Sequence, residues 1–179
     1  HNSFTNQIED FKPVEENKVK MYVCGPTVYD FAHLGHARCY ITWDVLYRYL
    51  KFKGYDVTYC RNVTDVDDKI LKKAEKENKT PEEVSQYWYK QFENSMKALN
   101  TLKPDIEPFA TKTLGEMIGM VKDLINKGFA YEIDGDVYFR VKKFPEYGSL
   151  SKQPIDQLES GARIEKEKLN LECVSITGD

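Results

Sequence analysis

VKMYVCGPTVYDFAHLGH, residues 19–36, decides how this chain is read. Val19 to Cys24 is a short apolar run of strand type, and Gly25-Pro26 stops it and opens a loop. Beyond the loop, from Gly35 to Lys53, the apolar residues Ile41, Val45, Leu46, Tyr49 and Leu50 recur at helical spacing, and Gly54 supplies a C-terminal stop. Asp56 to Arg61, DVTYCR, then alternates as a second strand. Strand, helix and strand in that order form a βαβ unit, whose right-handed crossover builds a parallel sheet. The expected fold class is α/β.

The pattern turns helical again from Asp65 to Glu77. Thr80-Pro81-Glu82-Glu83 supplies an N-cap, a first-turn proline and a capping-box glutamate for a helix running toward Asn100. Pro104 and Pro108 bracket a break, after which Thr113 to Glu116 repeats the capping box. Leu114, Ile118, Val121, Leu124 and Ile125 mark a further apolar helical face that ends at Gly128. Phe129 to Ile133 and Asp136 to Val141 read as two strands joined through Asp134-Gly135, a dipeptide suited to a tight hairpin turn. The remainder is loop-rich, with a short helix expected around Ile155 to Leu158 and a lysine and glutamate run at Glu165 to Lys168. Three regions are expected: a polar lead (1–17), a catalytic half (18–110), and a connective region of helix, hairpin and loops (111–179).

Apolar residues make up 41% and charged residues 31% of the chain, and the net charge is -3, the profile of a soluble globular protein. This mild acidity argues against a generic nucleic-acid coat and leaves room for a local basic patch. The four cysteines, Cys24, Cys39, Cys60 and Cys173, form no CxxC pair, so a reducing compartment is expected, cytoplasmic or organellar. No segment has the apolar length of a membrane span, and no membrane partner is expected. A monomer is the expected oligomeric state.

The loop between the first strand and the first helix carries the chemistry. It lies at the carboxyl end of a strand and runs into a helix N-terminus, where open sheets bind ligands and unpaired N–H groups attract phosphate. His33 and His36 are three residues apart around the helix start, so both rings can point to one side, and Gly35 between them permits close approach of a ligand. Two imidazoles there suit donation to phosphate oxygens in a transition state. The plainer alternative is a pair of capping histidines. Asp65, Asp67 and Asp68 read as carboxylates favoured at a helix start rather than as a metal site.

His33-Leu34-Gly35-His36 resembles the HIGH signature of class I aminoacyl-tRNA synthetases, and Cys24-Gly25-Pro26-Thr27-Val28-Tyr29-Asp30 resembles the cysteine-specific branch of that family. Asn62 to Ile70, NVTDVDDKI, is similar to the family's NxTDxDDKI segment. Similarity continues through the proline-flanked linker, the hairpin, Tyr147 to Ser151 and Ser160 to Arg163, so that it spans residues 18–163.

The resemblance implies the first half of a Rossmann-like nucleotide-binding domain with an inserted connective subdomain. It implies ATP-dependent activation of cysteine to cysteinyl-adenylate, followed by transfer to cysteine tRNA, with Mg²⁺ accompanying ATP. On that reading His33 and His36 are the catalytic pair. Pro26, Thr27, Tyr29 and Gly35 join them around ATP, while Gly25, Thr27 and Thr64 line the amino-acid pocket. Cys24 is implied as one ligand of a Zn²⁺ ion that binds the substrate thiolate, a choice that favours a thiol over the hydroxyl of serine. Leu171-Glu172-Cys173 resembles the segment around the family's second zinc cysteine, with Asn170 where a histidine is usual.

Cys173 follows Arg163 by ten residues, where the family places several dozen. Missing residues, a truncated product and an accidental match each fit that gap. The lysine-rich KMSKS loop and the anticodon-binding domain have no counterpart in the sequence, so the 179-residue chain alone is expected to be inactive. Two rival readings stand beside this one. A mycothiol-type cysteine ligase shares the zinc cysteine and the HxGH string, and a truncated synthetase-like module would bind without turnover.

Overall fold

The structure, a computed structural model, describes residues 1–152 and the strand at 173–175. The sequence elements at Ile155 to Leu158, Ser160 to Arg163 and Glu165 to Lys168 lie outside the described residues. The chain divides into two compact units, Lys12–Leu114 and a second that joins His1–Phe11 to Gly115–Asp179.

In the Lys12–Leu114 unit, β1 (Lys18–Val23) leads through the loop into α1 (Leu34–Phe52) and then β2 (Asp56–Arg61). β1 and β2 pair in parallel from Lys18 opposite Asp56 to Val23 opposite Arg61, the expected βαβ arrangement. Alternate residues of both strands face a core of Val19, Met21, Val23, Val57 and Tyr59, which α1 and α3 (Pro81–Ala98) cover with Tyr40, Tyr47, Leu50, Phe92 and Met96. Thr80 and Glu83 close the capping box expected at the start of α3, with Pro81 in its first turn.

The buried face of α1 differs from the one expected. Ile41, Val45, Leu46 and Tyr49 are exposed, and of the expected set only Leu50 is buried, beside Tyr40 and Tyr47. Both tyrosines carry a hydroxyl that finds a partner inside: Tyr40 donates to the Cys24 carbonyl at 3.1 Å, and Tyr47 to the Asp105 carboxylate at 3.1 and 3.2 Å. A satisfied phenol is worth burying for its ring area, and that outweighs the aliphatic stripe.

The proline-flanked segment after α3 is not a simple break. It runs alongside β2: Asp105 N–H donates to Tyr59 O, Arg61 N–H to Ile106 O, and Val63 N–H to Pro108 O. Pro108 serves there only as an acceptor, the one ladder role open to proline. A second core, Val28, Val63, Ile70, Ala74, Val84 and Trp88, lies where the loops after β1 and β2 meet α2 (Asp68–Glu77) and α3.

The second unit carries α4 from Gly115 onward (Leu114–Asn126) and a three-stranded antiparallel sheet of β3 (Ala130–Ile133), β4 (Asp136–Arg140) and β5 (Cys173–Ser175). Asp134 and Gly135 turn the β3–β4 hairpin at φ 53° and 93°, the double positive φ of a type I′ turn. Tyr138 of β4 is fully buried. The expected apolar face of α4 is only half-covered: Val121, Leu124 and Ile125 are partly buried, while Leu114 and Ile118 are exposed.

Candidate functional site

The loop after β1 is locked to the loop after β2. Val28 N–H donates to Thr64 O at 3.2 Å and Thr64 N–H to Pro26 O at 3.0 Å, so Thr27 and Thr64 continue the parallel pairing beyond the strands. Gly25 N–H donates to Asn62 Oδ1 at 2.7 Å. A Cβ at position 25 would lie 1.4 Å from the Asn62 carbonyl oxygen, so only glycine permits this approach. Asn62 also accepts from the Tyr22 hydroxyl at 2.9 Å and donates to Thr64 Oγ1 at 3.3 Å. It is therefore the hub of the two loops. Val28 and Val63 are buried directly beneath them.

His33 and His36 form the capping box of α1. His33 is the N-cap, in extended conformation, and its Nδ1 accepts from Gly35 N–H at 3.1 Å. His36 Nδ1 accepts from His33 N–H at 3.1 Å. An accepting Nδ1 selects the neutral tautomer with its proton on Nε2. Each ring thus secures the helix with one nitrogen and keeps the other as a donor. The two rings lie 4.0 Å apart, centroid to centroid, and His36 stacks over Tyr40 at 6.4 Å. A Cβ at Gly35 would meet His33 Cε1 at 2.8 Å, which explains a glycine between the histidines. The plainer alternative, a pair of capping histidines, is what the structure shows, and the caps leave an Nε2–H on each ring.

Burial, joined by the nearby His33, pushes the His36 pKa below its ordinary value. The ring therefore resists protonation, as an accepting Nδ1 requires. α1 has no acidic residue in its first turn, whereas α2 starts with Asp67 as N-cap followed by Asp68, and α3 starts with Glu82 and Glu83. The positive end of α1 thus carries no carboxylate in its first turn, and two N–H donors lie beside it.

Of the other sequence-predicted residues, Cys24 is an exposed free cysteine directly after β1. Gly25, Thr27, Tyr29 and Thr64 are half-buried, and Pro26 is buried. Cys173 opens β5 opposite Arg140 in the second unit, and its side chain lies outside the described residues. Among the described residues no group of three or more His, Cys, Asp or Glu side chains gathers to hold a metal ion. These residues supply one thiol of the four donors a zinc site uses, and so they do not by themselves fit the ion. Asp65 binds the backbone N–H and hydroxyl of Thr111.

Sequence reasoning missed Asn62, Tyr40 and Arg61. Arg61, buried at the end of β2, reaches Glu107 Oε1 through Nη2 at 2.6 Å and lies over the rings of Tyr40 and Phe92. Tyr89 donates to the other Glu107 oxygen at 2.6 Å. Asn62 stands directly after β2, as Cys24 does after β1, and the parallel register would have placed the two side by side.

Comparison with known proteins gives the chain's relatives. Residues 10–173 match the family model described as tRNA synthetases class I (C) catalytic domain. The chain is 49% identical over 173 residues to the cysteine–tRNA ligase of Francisella philomiragia, covering 95% of this chain and 38% of that protein. It is 50% identical over 171 residues to the cysteine–tRNA ligase of Lachnospira eligens, covering 96% and 36% respectively. It thus spans little more than a third of the length of the curated relatives it matches. Among solved structures it is similar to the LeuRS of Agrobacterium radiobacter, solved as a ternary complex with tRNA and LeuAMS, at TM-score 0.56 and 26% identity over 75% of this chain and 18% of that one. A putative arginyl tRNA synthetase from Campylobacter jejuni shares the fold at TM-score 0.54 and 15% identity, over 72% of this chain and 38% of that one.

Proposed function

We propose, on the premise that this chain belongs to the family of class I tRNA synthetase (C) catalytic domains, that it supplies the HIGH-type wall of the site where a cysteine–tRNA ligase activates cysteine with ATP. The observation that carries the proposal is the double-histidine cap, which leaves two Nε2–H donors at a helix N-terminus that has no carboxylate of its own.

In the first step the cysteine carboxylate oxygen attacks the α-phosphorus of ATP, the bond to the bridging oxygen breaks, and pyrophosphate leaves. His33 and His36 donate to the phosphate oxygens as charge builds on them, acting as fixed dipoles rather than as proton-transferring bases. Mg²⁺ enters with ATP as part of the substrate. In the second step a terminal hydroxyl of tRNA attacks the carbonyl carbon of the adenylate and AMP leaves. Gly25, Thr27 and Thr64 form the floor on the amino-acid side, held in register by Asn62, and Pro26, Tyr29 and Gly35 lie on the nucleotide side. Cys24 offers a thiol donor at the edge of that floor. Because the described residues do not complete a zinc site, no step of the proposal runs through a metal ion of the protein.

The test is cysteine-dependent ATP–pyrophosphate exchange and charging of cysteine tRNA by the protein that carries this chain at its relatives' full length. Both activities are expected. Exchange without tRNA charging, accompanied by coupling of cysteine to an amino sugar, would replace this reading with that of the mycothiol-type ligase.

A further inference from the structure

α2 carries four lysines, Lys69, Lys72, Lys73 and Lys76, at spacings of three, one and three residues, which places them along one stripe of the helix. Lys69, Lys72 and Lys76 are exposed and make no ion pair among the described residues. The stripe extends for about 10 Å along the helix, roughly three steps of a nucleic-acid strand at its rise of about 3.4 Å. Lys73 pairs with Asp30 at 3.9 Å and Glu77 at 3.8 Å, so Lys72 and Lys76 are the charges most open to an anionic partner.

An aromatic shelf lies beside the stripe. Phe31 meets Trp88 edge-on at 4.7 Å and Trp88 meets Tyr87 edge-on at 5.0 Å. Phe31 and Tyr87 are more than half exposed. Lysines overlie this row and its neighbour: Lys73 over Trp88 at 4.3 Å, Lys79 over Tyr87 at 6.0 Å and Lys69 over Tyr29 at 5.3 Å. Tyr29 and Phe31 belong to the same loop that ends in His33, so the shelf adjoins the candidate nucleotide site. A lysine track for phosphates next to exposed rings for bases is the pattern of single-strand nucleic-acid binding.

We infer that the α2 lysine stripe and the Phe31–Trp88–Tyr87 shelf form a docking surface for single-stranded RNA beside the active-site loop. The choice of RNA over other nucleic acids rests on the functional reading above.

The experiment is fluorescence anisotropy with a labelled single-stranded RNA of about ten nucleotides and the 179-residue chain, at about 50 and 150 mM salt. The parent is compared with Lys72→Gln/Lys76→Gln, with Tyr87→Ala, and with Lys51→Gln/Lys53→Gln at the far end of α1 as the control. All of these positions except Lys51 and Lys53 lie on the stripe or shelf, and circular dichroism checks that each variant is folded. The stripe variant should bind about tenfold more weakly at low salt and should lower the slope of log affinity against log salt by about 1.4, or roughly 0.7 per lost phosphate contact. Tyr87→Ala should weaken binding at least about fivefold, and the control should match the parent. Equal binding by the stripe variant, an equal loss in the control, or preference for anionic vesicles over RNA would each overturn the inference. ATP–pyrophosphate exchange by the full-length protein involves only small substrates, so it reports on the functional reading separately: intact exchange with no RNA binding fails the docking surface alone.

Discussion

Gly25 packs directly on the carbonyl of Asn62: a Cβ there would sit 1.4 Å from that oxygen, and the Gly25 N–H donates to the Asn62 side chain at 2.7 Å. The loops after β1 and β2 are thus set against each other at a distance that only glycine at position 25 allows. Gly25→Ala is expected to force them apart and to cost at least about 3 kcal/mol in urea unfolding, the upper end of overpacking penalties, because the obstacle is backbone. Asn62→Ala should cost less, about 1–2 kcal/mol, by leaving the Gly25 N–H unpaired.

The imidazole caps predict a pH response. His36 has a pKa held below its unfolded value of about 6.5, so the folded state binds fewer protons there than the unfolded one. The sign follows: its contribution to stability is fully present above about pH 6.5 and declines as pH falls through the folded value. Thermal melts of the parent and of His36→Gln between about pH 8 and 5 check this. The parent should lose Tm relative to the variant as the solution is acidified below about pH 6.5.

The capping and donor roles of His33 separate by substitution. Asparagine accepts at an N-cap as well as any residue, so His33→Asn should lie within about 0.5 kcal/mol of the parent, whereas His33→Ala should lose about 1 kcal/mol. Urea midpoints at pH 7.5 or above distinguish the two.

Arg61 and Glu107 make a buried pair, with side chains 5% and 19% exposed. Arg61→Met removes the cation and leaves a carboxylate facing Tyr89, at an expected cost of about 3–5 kcal/mol in urea unfolding. A cost below about 1 kcal/mol would show that the pair does not anchor the proline-flanked segment to β2.

The βαβ order, the Thr80–Glu83 box and the Asp134-Gly135 turn were legible in the sequence because each is written in neighbouring residues. The HxGH spacing permits the caps that His33 and His36 make, an N-cap and its N3 partner being three residues apart, but the resemblance to the family signature pointed to donors for phosphate instead. The buried face of α1 was not legible. That helix has apolar residues on two sides, and periodicity cannot say which side meets the sheet. Partners distant in sequence decide it: Asp105 receives the hydroxyl of Tyr47 58 residues away. The Asn62 hub was hidden likewise, because its contact with Gly25 spans 37 residues. The proline-flanked segment misled because proline signals a break, whereas here the segment lends carbonyls to β2.

The central claim is that the histidines which cap α1 also serve ATP through their outward nitrogens. It is tested most directly by cysteine-dependent ATP–pyrophosphate exchange with His33→Asn in the full-length protein, since asparagine keeps the cap and loses the Nε2–H. The account predicts a folded protein of near-parent stability whose exchange rate falls about 100-fold or more. Exchange within about twofold of the parent would contradict it and leave the histidines as caps alone.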